Sequence, residues 1–142
     1  MSSINLLIIE DEDAQLEAYN DAIDSFNKKN EIKIERTICK SFEDGEKALN
    51  TPFFDAAIID LKLSSSEELE GKKLIEKVYQ KIRIPIFVVS GSISQIDDIS
   101  ENILLRKRLR TVLISSVLKE ILDIYNTGIT SFLKPLGIID EK

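Results

Sequence analysis

Short runs of apolar, branched residues, each closed by a polar side chain, constrain the fold of this chain more than any other feature. Ile4 to Ile9 is nearly unbroken apolar sequence and runs into Glu10-Asp11-Glu12-Asp13. Phe53 to Ile59 stops at Asp60, Ile86 to Val89 opens after Pro85 and stops at Ser90, and Ile129 to Leu133 leads into Lys134-Pro135. A run of this kind, too short for a helix and apolar at successive positions, is the pattern of a strand buried on both faces. Such strands belong to parallel sheets. Ile32 to Ile38 alternates apolar and polar residues and adds one more strand, second in chain order.

Between the strands the apolar period changes to that of a helix. From Asp13 to about Lys28, Leu16, Tyr19, Ile23 and Phe26 recur at spacings of three and four, with Asp13 placed as a cap. Ser41 to Asn50 is a short helix with Phe42, Ala48 and Leu49 inward, stopped by Thr51-Pro52, and Gly71 to Ile82 forms another. The stretch from Ile93 to Asn126 carries Ile96, Ile99, Ile103, Leu109, Val112, Leu113, Val117, Ile121, Leu122 and Tyr125 at helical spacing. It is expected as one very long helix, or two with a break near Arg110-Thr111, ended by Gly128. Strands alternating with helices predict an α/β fold: a doubly wound, five-stranded parallel sheet with helices on both faces. The whole of 1–142 is expected as a single domain, with 93–127 an enlarged helical insertion.

The chain has 142 residues, a formal net charge of −6, no histidine and one cysteine. The negative charge argues against nucleic acid or an anionic membrane surface as a partner. A lone Cys39 forms no internal disulfide and is expected as a small core residue of the second strand. No basic region precedes the first apolar run, which is too short to span a bilayer, so cytoplasmic localisation is the expectation. Without histidine, any chemistry falls to carboxylates, hydroxyls and lysine.

In a doubly wound sheet ligands sit at the carboxyl ends of the strands. Those ends collect Glu10 and Asp11 from the first strand, Asp60 from the third, Ser90 from the fourth and Lys134 from the fifth. A carboxylate such as Asp60 can accept a phosphoryl group as an acyl phosphate, provided a cation offsets the repulsion between the two anions. Asp11 and Asp60 are suited to hold Mg²⁺ directly and Glu10 through water. Ser90 can donate a hydrogen bond to one phosphoryl oxygen while Lys134 meets another as a point charge.

These segments resemble the receiver domain of bacterial two-component response regulators. Leu6 to Glu12 is similar to that family's first strand and acidic pair, Phe42 to Leu49 to its second helix, and Phe54 to Leu63 to the strand that carries the phosphoacceptor. Pro85 to Gly91 resembles the strand ending in the switch hydroxyl, and Phe132-Leu133-Lys134-Pro135 the last strand with its lysine. The resemblance implies a flavodoxin-like receiver fold with Asp60 as phosphoacceptor and the Lys62 backbone carbonyl as a further metal ligand. It also implies Ser90 and Phe132 as switch residues, Mg²⁺ as cofactor, and a histidine kinase or phosphotransfer protein as donor. At most it implies self-phosphorylation and autodephosphorylation, with no turnover of a separate substrate. Against the family pattern, the loop Ser64 to Glu70 is long and lacks proline, the fourth-helix region is extended, and too little sequence follows Pro135 for a usual fifth helix.

Two other functions compete with the phosphorelay reading. One is a receiver-like module that works without phosphate, its 93–127 region mediating a homodimer or a downstream contact. The other is a hydrolase with an aspartyl-phosphate intermediate, disfavoured because Lys62 stands where such phosphatases carry an aspartate. The basic run Arg106-Lys107-Arg108-Leu109-Arg110 is expected as a solvated helix face.

Overall fold

The structure is a computed structural model that describes residues 3–51, 53–60, 73–74, 84–90, 104–107 and 110–127. Five strands form one sheet: β1 (Ser3–Ile9), β2 (Lys33–Cys39), β3 (Ala56–Asp60), β4 (Ile86–Ser90) and β5 (Leu104–Lys107). Their order is β2-β1-β3-β4-β5 and every neighbouring pair is parallel. The described helices are α1 (Asp13–Lys29), α2 (Phe42–Leu49) and α3 (Arg110–Thr127). The expected doubly wound α/β fold is therefore present.

Burial on both faces explains why β1 is apolar at every position from Leu6 to Ile9. Ile4, Leu6 and Ile8 share one face with Ala56, Ile58 and Phe87, and they pack with Leu16, Tyr19 and Ile23 of α1 and Ile114, Val117, Leu118 and Ile121 of α3. Leu7, Ile9, Ala57, Ile59, Ile86 and Val88 alternate with these and are equally buried. Here α2 lies against β1 so closely that a Cβ on Gly45 would stand 2.2 Å from Ile9 Cδ1. Burying each such aliphatic side chain stabilises the fold by about 1.5–3 kcal/mol before chain entropy is counted.

Local polar groups fix the helices on the sheet. Asn27, on α1, accepts from the Ile34 backbone N–H through Oδ1 at 2.8 Å and donates Nδ2 to the Ile34 carbonyl at 3.1 Å, which braces α1 to β2. Asn30 ends α1 by donating its backbone N–H (3.1 Å) and its Nδ2 (2.9 Å) to the Phe26 carbonyl. Ser41 caps α2, its Oγ accepting from the Asp44 N–H at 3.1 Å. At the start of α1 the cap position is Glu12, one residue earlier than expected, and Asp13 is the first helical residue.

The largest departure from expectation lies in the 93–127 stretch. Leu104–Lys107 is the fifth strand, paired with β4, and the helix that follows begins at Arg110, so one continuous helix is ruled out. Arg106 and Lys107 accordingly belong to a strand and not to a solvated helix face. Ile103-Leu104-Leu105 places apolar residues at three successive positions, which breaks a helical stripe but suits a short strand. Among the described residues α3 follows β5 and packs against α1 on the sheet face that carries Ile4 and Phe87, while the residues after Pro135, where no usual fifth helix was expected, lie outside the described residues. Ile129 to Leu133, read from sequence as the fifth strand, lies outside the described residues, as does the loop after Asp60.

Candidate functional site

Strand register gathers the sequence-predicted residues along one rim of the sheet. Ile9 pairs with Ile59, so Glu10 and Asp60 come next, side by side, on the central strands. Asp60 in turn is level with Val89, and Ser90 is level with Lys107. The carboxyl ends of β1, β3, β4 and β5 thus present two acids, a hydroxyl residue and a lysine in sequence across the sheet.

Glu10 and Asp60 are 1% and 3% exposed, the only buried polar or charged residues among those described. An ionised carboxylate is costly to bury without compensation. Neighbouring strands lie only about 4.8 Å apart, so acids at adjacent ends repel each other unless a cation intervenes. Asp11 follows in the half-buried turn between β1 and α1. Glu10 Oε2 accepts from the backbone N–H of Asp11 at 3.2 Å and of Glu12 at 3.1 Å, while the Glu10 N–H donates to the Cys39 carbonyl at 3.0 Å. The turn that carries Asp11 is thereby tied to β2 on one side and leads into α1 on the other.

The donor chemistry suits a hard divalent cation. Mg²⁺ asks for oxygen ligands, takes only one or two carboxylates and keeps several waters. Asp11 and Asp60 are carboxylates of the kind it takes. Among the described residues no group of three or more acidic, histidine or cysteine side chains is gathered as a metal site. The Lys62 carbonyl, Phe132 and Lys134, all named from sequence, lie outside the described residues.

Lys107, which sequence reasoning did not single out, ends β5 in register with Ser90, while Lys134, the lysine named from sequence, lies outside the described residues. The signal was available in the three consecutive apolar residues before Arg106-Lys107, but it was absorbed into the longer helical pattern.

Elsewhere on the molecule, Cys39 is half-buried, and burial, together with the Asp44 carboxylate, pushes its thiol above the ordinary range. No helix among the described residues is long and apolar enough to cross a membrane.

Neither a family model nor any curated protein matches the sequence. Solved structures do match the fold. A CheY-like response-regulator receiver domain from Methylobacillus flagellatus aligns with a TM-score of 0.60 at 21% identity, over 84% of this chain and 99% of that one. The phosphorylated cyanobacterial phytochrome response regulator RcpA aligns with a TM-score of 0.64 at 18% identity, covering 87% of this chain and 94% of its own. A receiver domain protein from Methanospirillum hungatei gives a TM-score of 0.64 at 18% identity, over 89% of this chain and 100% of that one. Five parallel strands in this order, with two buried acids at the ends of the central pair, therefore form the fold of response-regulator receiver domains.

Proposed function

We propose that the chain is a phosphoacceptor receiver of a two-component or phosphorelay system, phosphorylated on Asp60. The observation that carries this reading is the pair of buried acids, Glu10 and Asp60, at the ends of adjacent central strands in a receiver fold. An Asp60 carboxylate oxygen attacks the phosphorus of a donor phosphohistidine. The new P–O bond forms as the donor P–N bond breaks, and the released imidazole nitrogen takes a proton. Catalysis is positioning and charge. Asp11 and Asp60 would hold Mg²⁺, with the Lys62 carbonyl as a further ligand, and the bound cation offsets negative charge on the transferred group. Ser90 supplies a hydroxyl donor, and its interaction with the phosphoryl group biases the conformational switch, with Phe132 as the candidate aromatic partner. For the cation that meets a phosphoryl oxygen the sequence pattern names Lys134, and Lys107, in register with Ser90, is a second candidate. The donor is a histidine kinase or phosphotransfer protein, and output runs through protein contacts in the cytoplasm.

Intact mass after incubation with Mg²⁺ and acetyl phosphate tests the reading. One acid-stable, base-labile phosphoryl adduct is expected on the wild-type chain, none on Asp60→Asn, and none without metal. Of Lys134→Ala and Lys107→Ala, the one that slows its formation at least about tenfold, the loss of one charge-assisted contact, identifies the lysine that meets the phosphoryl group. Wild-type chain that takes no phosphoryl group with Mg²⁺ present would point to an interaction module that works without phosphate.

A further inference from the structure

We propose that the groove between α1 and α3 is a docking surface for a second copy of this chain, laid end for end across a two-fold axis. Sequence reading allowed a homodimer through 93–127; this surface draws its other wall from α1. The inference rests on no part of the phosphoacceptor reading.

The groove runs along both helices. The first half of α1 shares a cavity of about 390 Å³ with Ile114 and Ser115, and its second half shares one of about 480 Å³ with residues 115–123 of α3. Ala22 and Ser115 line both, so the two cavities are continuous and the helices lie side by side in the same direction. Leu16, Tyr19 and Ile23 of α1 are buried in the core, whereas Ala18, Ala22 and Phe26, with Leu122 of α3, are only partly covered and form an apolar floor. Alanine at two of these positions lets another helix approach closely.

Charge selects the occupant. Glu17 and Asp21 stand at the end nearer the helix starts, and Lys29 and Lys119, with Asp123, at the other. None of these five side chains forms an ion pair among the described residues. The helix dipoles favour acids near the starts and bases near the ends, which gives the division by sign a reason within one chain. Its consequence between chains is self-complementarity: a surface negative at one end and positive at the other repels a copy laid parallel and attracts one turned around. Glu17 and Lys29 lie about 18 Å apart along α1, so an axis passing beside Ala22 brings Glu17 of each copy level with Lys29 of the other. Two helices of 17 and 18 residues give a footprint of about 500 Å² per copy, or about 1,000 Å² in all, the lower end for a specific interface. The dimer is therefore weak and responds to concentration.

Sedimentation velocity on the full chain tests this at about 5–500 µM, without metal or phosphodonor. Wild type is expected to dimerise with a Kd of about 10–100 µM. The double variants Glu17→Lys/Asp21→Lys and Lys29→Glu/Lys119→Glu each give the groove a single sign. Each alone should associate at least about tenfold more weakly, and an equimolar mixture of the two should recover to within about threefold of wild type. All four positions are exposed, so the fold is kept, which circular dichroism checks. If one variant does not fold, salt decides: raising it from about 0.05 to 0.5 M should weaken the wild-type dimer at least about fivefold, and no change overturns the proposal. A wild-type chain that stays monomeric throughout overturns it. So do double variants that dimerise like wild type, because association then uses another face, or a mixture no tighter than either variant alone. Phosphorylation of Asp60 is not measured in any of these arms, so the phosphoacceptor reading stands or falls separately.

Discussion

Replacing Gly45 by alanine sets two effects of opposite sign against each other, and the structure says which should win. Within a helix, alanine is favoured over glycine by about 1 kcal/mol. Against that, the added Cβ would lie 2.2 Å from Ile9 Cδ1 and 2.9 Å from Ile9 Cγ1, inside any permitted contact. Ile9 is fully buried on β1, so it has little room to turn away. Forcing an extra methyl into such packing costs about 1–3 kcal/mol. Gly45→Ala should therefore destabilise the protein by about 0–2 kcal/mol. Ile9→Val removes the Cδ1 atom that causes the worst clash and costs about 0.5–1.5 kcal/mol on its own. In the double variant the worst contact is gone, the 2.9 Å approach to Cγ1 needs only a shift of a few tenths of an ångström, and the helix preference remains, which returns stability to within about 1 kcal/mol of wild type. The predicted coupling is about 1–3 kcal/mol, measured by urea unfolding of all four proteins at equal m-value. If Gly45→Ala alone stabilises by the full helix preference, or if the two changes add to within about 0.5 kcal/mol, the close approach of α2 to β1 is wrong.

Three further outcomes follow from described contacts. Asn27→Ala removes both bonds to the Ile34 backbone and should lower unfolding free energy by about 1–3 kcal/mol in urea titration, because the buried β2 amide loses its acceptor. Ser41→Ala deletes the α2 cap and should cost about 1 kcal/mol, whereas Ser41→Asp should retain most of it; thermal melts compare the two. The raised thiol pKa of Cys39 leaves less thiolate than a free cysteine has at pH 8, so alkylation by iodoacetamide should be slower than for glutathione. Asp44→Asn, which removes the smaller of the two causes, should speed it modestly.

Particular residues show why some of this fold was legible in the sequence and some was not. β1, β3 and β4 are interior strands covered on both faces, and their sequences record this as unbroken apolar runs ending on Glu10, Asp60 and Ser90. The α1 stripe was equally plain, since Leu16, Tyr19 and Ile23 face the sheet at helical spacing. β5 left a weaker trace: among the described strands it lies at the edge of the sheet, with four residues, half of them basic, and apolar residues on either side at helical spacing. That misreading hid the place of Lys107 as well, because it looked like part of a solvated basic face. The acids of the site could be placed by strand ends alone. The Glu10 bonds to the Asp11 and Glu12 amides depend on the shape of one turn, and no spacing rule encodes that.

The two halves of the rim differ in how firmly the sheet holds them. Glu10 and Asp60 extend from strands that each have a neighbour on both sides, with fully buried residues directly before them. Lys107 ends a four-residue strand that, among the described residues, pairs only with β4. A load placed on the rim is met by unequal stiffness, and displacement goes to the compliant side. The acidic half then serves as the fixed reference, and the β1–β3 pair should be the last part of the sheet to exchange its amide protons.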